Sequence, residues 1–495
     1  MLITQLPINP SRFPNRTRLA LALVGILCVW SVQPSCGAPT VTQAEAREAL
    51  ERAVSFFRSR VSIRGGYLWR YSADLKQREG EDRTGPHTAW VQPPGTPTVG
   101  QAYLRAYHLT DEPYLLAAAL ETGNALVDGQ LQSGGWDYRI EFDSQARSQF
   151  AYRTDGEARD KRNVTTLDDN TTQAALQFLM TLDQTLMFQN SDIHARALFA
   201  LEQLLRAQFP LGAWPQRYDR FPDPADFPSH TASYPPTWSR QYPRLDYRNY
   251  YTFNDNTIAD MITTMFLAAR IYDDPRYREA AERAGDFIIA AQMPDPQPAW
   301  AQQYNVDMHP AWARKFEPPA VTGGESQGVM RTLLLLFRHT GKRKYLHPIP
   351  EALAYLKRSQ LENGQLARFY ELRTNRPLYF NRNYELTYDD SDLPTHYGFK
   401  IASQLDSIQQ EYEQLLATKT AEQPITLTTP SIRLTEQLTA AASEVISNLN
   451  KDAAWVKSGR LKYQEQESPT EPIIDVPTFI RNVDVLSRFL RAKRK

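Results

Sequence analysis

Cysteine is almost missing from this 495-residue chain: it has two, Cys28 and Cys36, both near the N-terminus. With none beyond Cys36, a disulfide framework and a thiol nucleophile are excluded from the rest of the chain. Net charge of one sign is missing too. Lys+Arg and Asp+Glu both number 56, so no overall field recruits nucleic acid or an anionic membrane. The 8 histidines have no metal-ligand spacing and are assigned no catalytic role, and there is neither an EF-hand loop nor a zinc pattern. Long apolar runs are lacking as well. The longest, "LALALVGILCVWSV" (19–32), follows Arg12, Arg16 and Arg18 and precedes the small residues "SCGA". It is too short for a confident membrane span and reads as a signal peptide, 1–37, cut after Gly37 because Pro39 hinders cleavage after Ala38. A lipid anchor at Cys36 is the weaker alternative, since Gln33 stands where an apolar residue is expected. An exported protein, periplasmic or extracellular, is expected.

What the chain does have is helical periodicity from Thr40 onward and 42% hydrophobic residues, enough for a sizeable core. Four segments share an ending: "LVDGQLQSGGW" (126–136), "LLRAQFPLGAW" (204–214), "IIAAQMPDPQPAW" (288–300) and "LKRSQLENGQL" (356–366). In each, a Gln (Gln130, Gln208, Gln292, Gln360) closes a helix and the chain turns into a loop. A second class of helix follows each loop, from about Val99, Asp168, Asp255 and Glu325. Helix pairs recurring every 70 to 90 residues predict an all-α fold, a closed or nearly closed α/α toroid with irregular loops at one mouth. The toroid is expected over 40–400, with a C-terminal helical extension over 401–495. Trp214 and Trp300 lie in loops expected to line the mouth and are the candidate sugar-stacking rings, although most aromatics of a chain are core.

Helices of the second class begin "TLDDNTT" (166–172), "TFNDNTI" (252–258) and "TGGESQG" (322–328), each with an acid in its first turn. One such Asp is an ordinary helix cap. Repeated at one rim, Asp168, Asp169 and Asp255, with the amide oxygens of Asn170, Asn254 or Asn256, make an oxygen-rich cluster suited to a hard cation such as Ca²⁺. Arg314, Arg368, Arg376 and Arg382 fall in loops beside aromatics and Pro. Arginine forks carboxylates bidentately, so these four point to an acidic ligand such as a polyuronate, the alternative for each being a surface or locally paired residue.

These motifs resemble the family-10 pectate lyases, also called pectic acid lyases, over most of the chain from about Ala44 to Phe399. The resemblance is carried by Leu167-Asp168-Asp169, "GAWPQRY" (212–218), Thr252 to Asp255, "WAQQYN" (300–305), "ARKFEPP" (313–319), "TGGESQG", "ARFY" (367–370) and "TNRP" (374–377), in that order. It implies an α/α toroid that cleaves de-esterified homogalacturonan by calcium-assisted β-elimination. Arg314 then corresponds to the base, Asp168, Asp169 and Asp255 to calcium-associated and subsite positions, and Arg368 and Arg376 to residues that grip substrate carboxylates. An arginine base needs neighbouring cations and Ca²⁺ to stabilise its neutral form, because an unperturbed guanidinium stays protonated.

The chain departs from the pattern at Asp169, where the family has Asn. It also carries a Pro- and Tyr-rich insertion, 219–248, and Asn249-Tyr250-Tyr251 where a His often stands. Two other functions are considered: a toroid glycoside hydrolase with paired carboxylates, and a non-catalytic uronate-binding protein. A monomer acting on polygalacturonate or its oligomers is expected, with no nucleic acid partner and no membrane span in the mature form.

Overall fold

The computed structural model describes residues 41–156, 160–244, 246–247, 250–417, 432–464 and 471–492. The signal-peptide reading, with Cys28 and Cys36, lies outside them, as do parts of the 219–248 insertion. Twelve helices of ten residues or more are found among the described residues: α1 (Gln43–Phe56), α2 (Thr96–Thr110), α3 (Pro113–Gly129), α4 (Thr171–Thr185), α5 (Ser191–Ala207), α6 (Thr257–Tyr272), α7 (Pro275–Ala290), α8 (Gly323–Thr340), α9 (Ile349–Arg358), α10 (Leu405–Ala417), α11 (Glu436–Ser447) and α12 (Val476–Arg491).

The even-numbered helices stand side by side in the order α12, α2, α4, α6, α8, α10, and the odd-numbered ones pack outside them. Sequence composition sets this division. No residue of α4 is exposed, whereas α7 alternates exposed and buried positions at helical spacing and so can face water on one side. The result is an α/α toroid. The segment from 401 on supplies α10 to α12 within the same compact unit, Val41–Lys495. There α12 packs on α1, α2 and α11, and the rings of Phe57 and Phe479 stack at a centroid distance of 3.7 Å.

The recurring Gln is explained by the connections between outer helices. Gln130 Nε2 donates to the carbonyls of Gly134 and Arg196, Gln208 Nε2 to those of Gly212 and Ala280, and Gln292 Nε2 to those of Pro298 and Pro348. One amide thus closes the turn after an outer helix and ties it to the next outer helix. Gly212 is required in its turn: its φ is +108°, and a Cβ there would sit 2.1 Å from the Arg283 carbonyl oxygen.

At the mouth, a short strand before each of four inner helices pairs antiparallel with one after the following outer helix: Thr88–Trp90 with Arg139–Glu141, Thr165–Thr166 with Arg217–Tyr218, Tyr251–Thr252 with Gln303–Tyr304, and Ala320–Thr322 with Phe369–Glu371. Next to each ladder one more backbone bond forms, to the carbonyl of Tyr138, Gln216, Gln302 or Arg368. These four residues hold equivalent places around the rim, and three of them reach the site described below.

Candidate active site

The starts of α4 and α6 are the same device. Asp168–Asn170 and Asn254–Asn256 each form a single 3₁₀ turn, and the second and third residues of both turns, Asp169-Asn170 and Asp255-Asn256, are left-handed, with φ between 48° and 59°. Asp and Asn tolerate this conformation far better than branched residues. The acids therefore do not cap their helices through the side chain. The turn instead projects them into the mouth, and it brings one carboxylate oxygen from each of Asp168, Asp169 and Asp255 within 4.8 Å of one another.

Each carboxylate is held from a different side. Tyr138 Oη donates to Asp168 Oδ2 at 3.0 Å, and Arg217 Nη2 lies 3.5 Å from the same oxygen. Gln92 Nε2 donates to Asp169 Oδ2 at 2.9 Å, and Asn254 Nδ2 donates to Asp255 Oδ2. Asp168 is 8% exposed, and its Oδ1 has no hydrogen-bond partner. Burial, with the charges of Asp168 and Glu81, pushes the Asp169 carboxyl up to about 6. Burial and the charges of both neighbouring acids raise that of Asp255 further still.

Across α6 the mouth turns basic. Arg314 Nη2 is 3.9 Å from Asp255 Oδ2. Its guanidinium is clamped by the buried Glu317, with Nε to Oε2 at 2.9 Å and Nη2 to Oε1 at 2.6 Å. Burial works to lower the Arg314 pKa, but the Glu317 hydrogen bond and charge, aided by Tyr397 and Asp255, outweigh it and hold the pKa above its ordinary value. Glu317 is steadied by Gln302 Nε2 at 2.7 Å and Tyr397 Oη at 3.2 Å. Next along the rim, Arg368 bonds Glu325 at 3.0 Å and the Gly398 carbonyl at 2.6 Å, and lies over the Tyr397 ring. Arg368, Glu325, Asn256 and Asp255 border a cleft of about 240 Å³ between the starts of α6 and α8.

An acid cluster with a pinned arginine beside it, at the mouth of a toroid, can now be set beside known proteins. The family model described as pectic acid lyase matches residues 130–366, a stretch from the end of α3 through α9 that contains all three acids and Arg314. That stretch, a little under half of the chain, is similar to the pectic acid lyases, and the match indicates a polysaccharide lyase. No curated protein matches the sequence. Among solved structures, the family 10 polysaccharide lyase from Cellvibrio cellulosa is 19% identical with a TM-score of 0.44, the match covering 59% of this chain and 91% of that one. A mutant of that lyase in complex with trigalacturonic acid is 18% identical with a TM-score of 0.45, covering 64% and 98%. Cellobiose 2-epimerase from Bacillus thermoamylovorans is 12% identical with a TM-score of 0.43, covering 90% and 98%.

For this polysaccharide lyase the structure gathers Asp168, Asp169, Asp255 and Arg314 in one pit, with Arg368 on its rim. It does not place every candidate there. Trp214 and Trp300 are fully enclosed, their indoles donating at 2.8 Å to the carbonyls of Leu204 and Ile288. They are core posts that fasten the turn after an outer helix back onto that helix, and neither can stack on a sugar. Arg382 is exposed and ion-paired to Asp392 at 3.1 Å. Arg376 is exposed and lies on the Tyr388 ring. Neither contacts the acid cluster. The neighbours of Arg314 also differ from expectation, because its closest partners, Glu317 and Asp255, are anions rather than cations. Tyr138, Gln92, Arg217 and Tyr397 are not singled out by the sequence, although Arg217 sits inside the quoted "GAWPQRY"; the pairing of Arg314 with Glu317 is the local alternative that the sequence allows for this arginine. Only the ladder register, Thr166 opposite Arg217, reveals that Arg217 meets Asp168.

Proposed function

We propose that this lyase is exported through its 1–37 segment and, as a monomer, cleaves de-esterified homogalacturonan by calcium-assisted β-elimination. One arrangement carries the reading: carboxylates from two separate helix starts lie within 4.8 Å of one another, with Arg314 3.9 Å from Asp255. The donors fit calcium, being anionic oxygens throughout, and the buried Asp168 Oδ1 is an acceptor still unmet. Asp168, Asp169 and Asp255 would hold the ion, which when bound supplies a charge that makes the C5 proton of a uronate more acidic. In the elimination the C5–H and C4–O bonds break, a C4=C5 double bond forms, and the glycosidic oxygen takes up a proton.

The side chains have separable tasks. Arg314 is assigned the C5 proton, and Arg368 a substrate carboxylate. The clamp of Glu317 keeps Arg314 cationic at rest, so Arg314 accepts a proton only where the neutral form is reached. This puts the working range in alkaline solution. Tyr138, Gln92 and Arg217 keep Asp168 and Asp169 oriented.

The test is incubation of purified protein with polygalacturonate, with and without a calcium chelator, followed by near-ultraviolet absorbance of the unsaturated product. Absorbance that appears and is abolished by the chelator is expected. New reducing ends without it mean hydrolysis and end the proposal. Arg314→Ala is expected to abolish turnover while leaving oligogalacturonate affinity within a small factor, and full activity in that variant would remove the base assignment.

A further inference from the structure

The larger cleft of the mouth, about 560 Å³, lies on the opposite side of the acid cluster from Arg314. Its charged lining is Glu81, Asp82, Asp137, Glu141, Arg139 and Arg162. It adjoins the cluster directly: Tyr138 lines it and bonds Asp168, while Trp90 lines it and donates at 3.0 Å to Gln92, the residue that holds Asp169. Arg139 is neutralised by Asp82 at 2.9 Å, and Arg162 by Asp137. Among the described residues no cation pairs with Glu81 or with the buried carboxylate of Glu141, which accepts from Thr88 Oγ1 at 2.7 Å. The cleft thus has a net negative wall at one end of a groove whose other end is arginine-rich. Its acids are not gathered for a metal, since among the described residues only Asp168, Asp169 and Asp255 bring three such groups together.

We infer that this cleft is a subsite for an uncharged galacturonate unit, one whose carboxyl is methyl-esterified. The inference rests on the pectate lyase reading. A free uronate there meets Glu81 and Glu141, whose charges no cation among the described residues offsets. Its methyl ester removes that repulsion and turns an apolar group toward Tyr138 and Phe150, which also lines the cleft. The groove is therefore asymmetric, with free uronates on the Arg314 side and an esterified unit on the Tyr138 side.

Glu81 is exposed and its side chain makes no hydrogen bond among the described residues, so it can be changed without loss of structure. The experiment compares kcat/KM, at saturating calcium, on polygalacturonate and on the same polymer partly methyl-esterified, for wild type, Glu81→Gln and Glu81→Lys. Glu81→Gln is expected to move the ratio of esterified to unesterified substrate roughly threefold to tenfold toward the unesterified polymer, as expected for removal of one like charge at close range, and Glu81→Lys further. An unchanged ratio in both variants overturns the subsite and leaves the lyase reading standing. So does a second bound calcium, found by calorimetry, that Glu81→Gln removes. If wild type eliminates neither polymer, the lyase reading falls and the subsite with it.

Discussion

Asp255→Asn separates the two roles of the acid cluster, because it removes a charge without removing a side chain. At 4.8 Å two unit charges repel by about 1 kcal/mol in water and about 3.5 kcal/mol at an effective dielectric near 20. Protonation relieves part of this, so the metal-free variant should be more stable than wild type by about 1 to 3 kcal/mol. For a chain of this length 1 kcal/mol corresponds to about 1 °C in Tm. In chelator, Asp255→Asn should melt about 1 to 3 °C above wild type. Calcium should act in the opposite sense. An ion present at about 100 times its Kd stabilises wild type by about 2.7 kcal/mol. If losing one of three carboxylates weakens binding about 100-fold, the same concentration gives the variant about 0.4 kcal/mol, and the wild-type rise of about 3 °C shrinks below about 1 °C. Thermal melts of both proteins, with chelator and with calcium, read all four values. A variant that melts lower than wild type in chelator, or one that keeps the full calcium shift, refutes a cluster held together by a metal.

The pH dependence has a definite sign. Asp169 is raised from its ordinary value to about 6 and Asp255 is raised more, so between about pH 4 and pH 6 and somewhat above, the metal-free folded state binds more protons than the unfolded chain. Their contribution to stability is complete below about pH 4 and is lost as pH rises through the folded values. Calcium affinity should climb over the same window; calorimetric titrations across it check this, and a flat affinity would contradict it. Glu317→Gln should move the alkaline limb of the pH–rate profile to lower pH, because the carboxylate that keeps Arg314 protonated is gone; an unmoved limb would show that Arg314 is not the group being titrated. Trp214→Ala should cost about 3 to 5 kcal/mol of stability, seen as a fall of about 3 to 5 °C in Tm, with KM little changed. A raised KM at unchanged Tm would return Trp214 to the substrate.

Much of the site was legible because its main parts are local. The turn that lifts Asp169 and Asp255 into the mouth is written in consecutive residues, Asp-Asn followed by Thr in both copies, and Asp and Asn are the residues that tolerate its left-handed backbone. The alternation of inner and outer helices was readable from periodicity, and the recurring Gln marked where each outer helix ends. Position near Pro and aromatic residues misled at Arg382, which met an acid ten residues away. The same cue misled at Trp214 and Trp300, because a Trp in a turn leaves open whether its ring faces sugar or core.

What the chain settles alone is which segments are helical and which acids open them, since backbone propensity and capping act over a few residues. Which groups then face one another was decided by the side-by-side packing of the inner helices. Arg217 reaches Asp168 across a ladder, Glu317 clamps Arg314 with Gln302 and Tyr397 at its back, and α12 meets α1 and α2 from the far end of the chain. Only the Arg314–Glu317 pair, three residues apart, is local; Gln302 lies fifteen residues from Glu317, and the other contacts join residues 49 to hundreds of positions apart, which no local preference encodes. Packing of buried faces brings them together, and the charge each carboxylate and guanidinium carries is set only there.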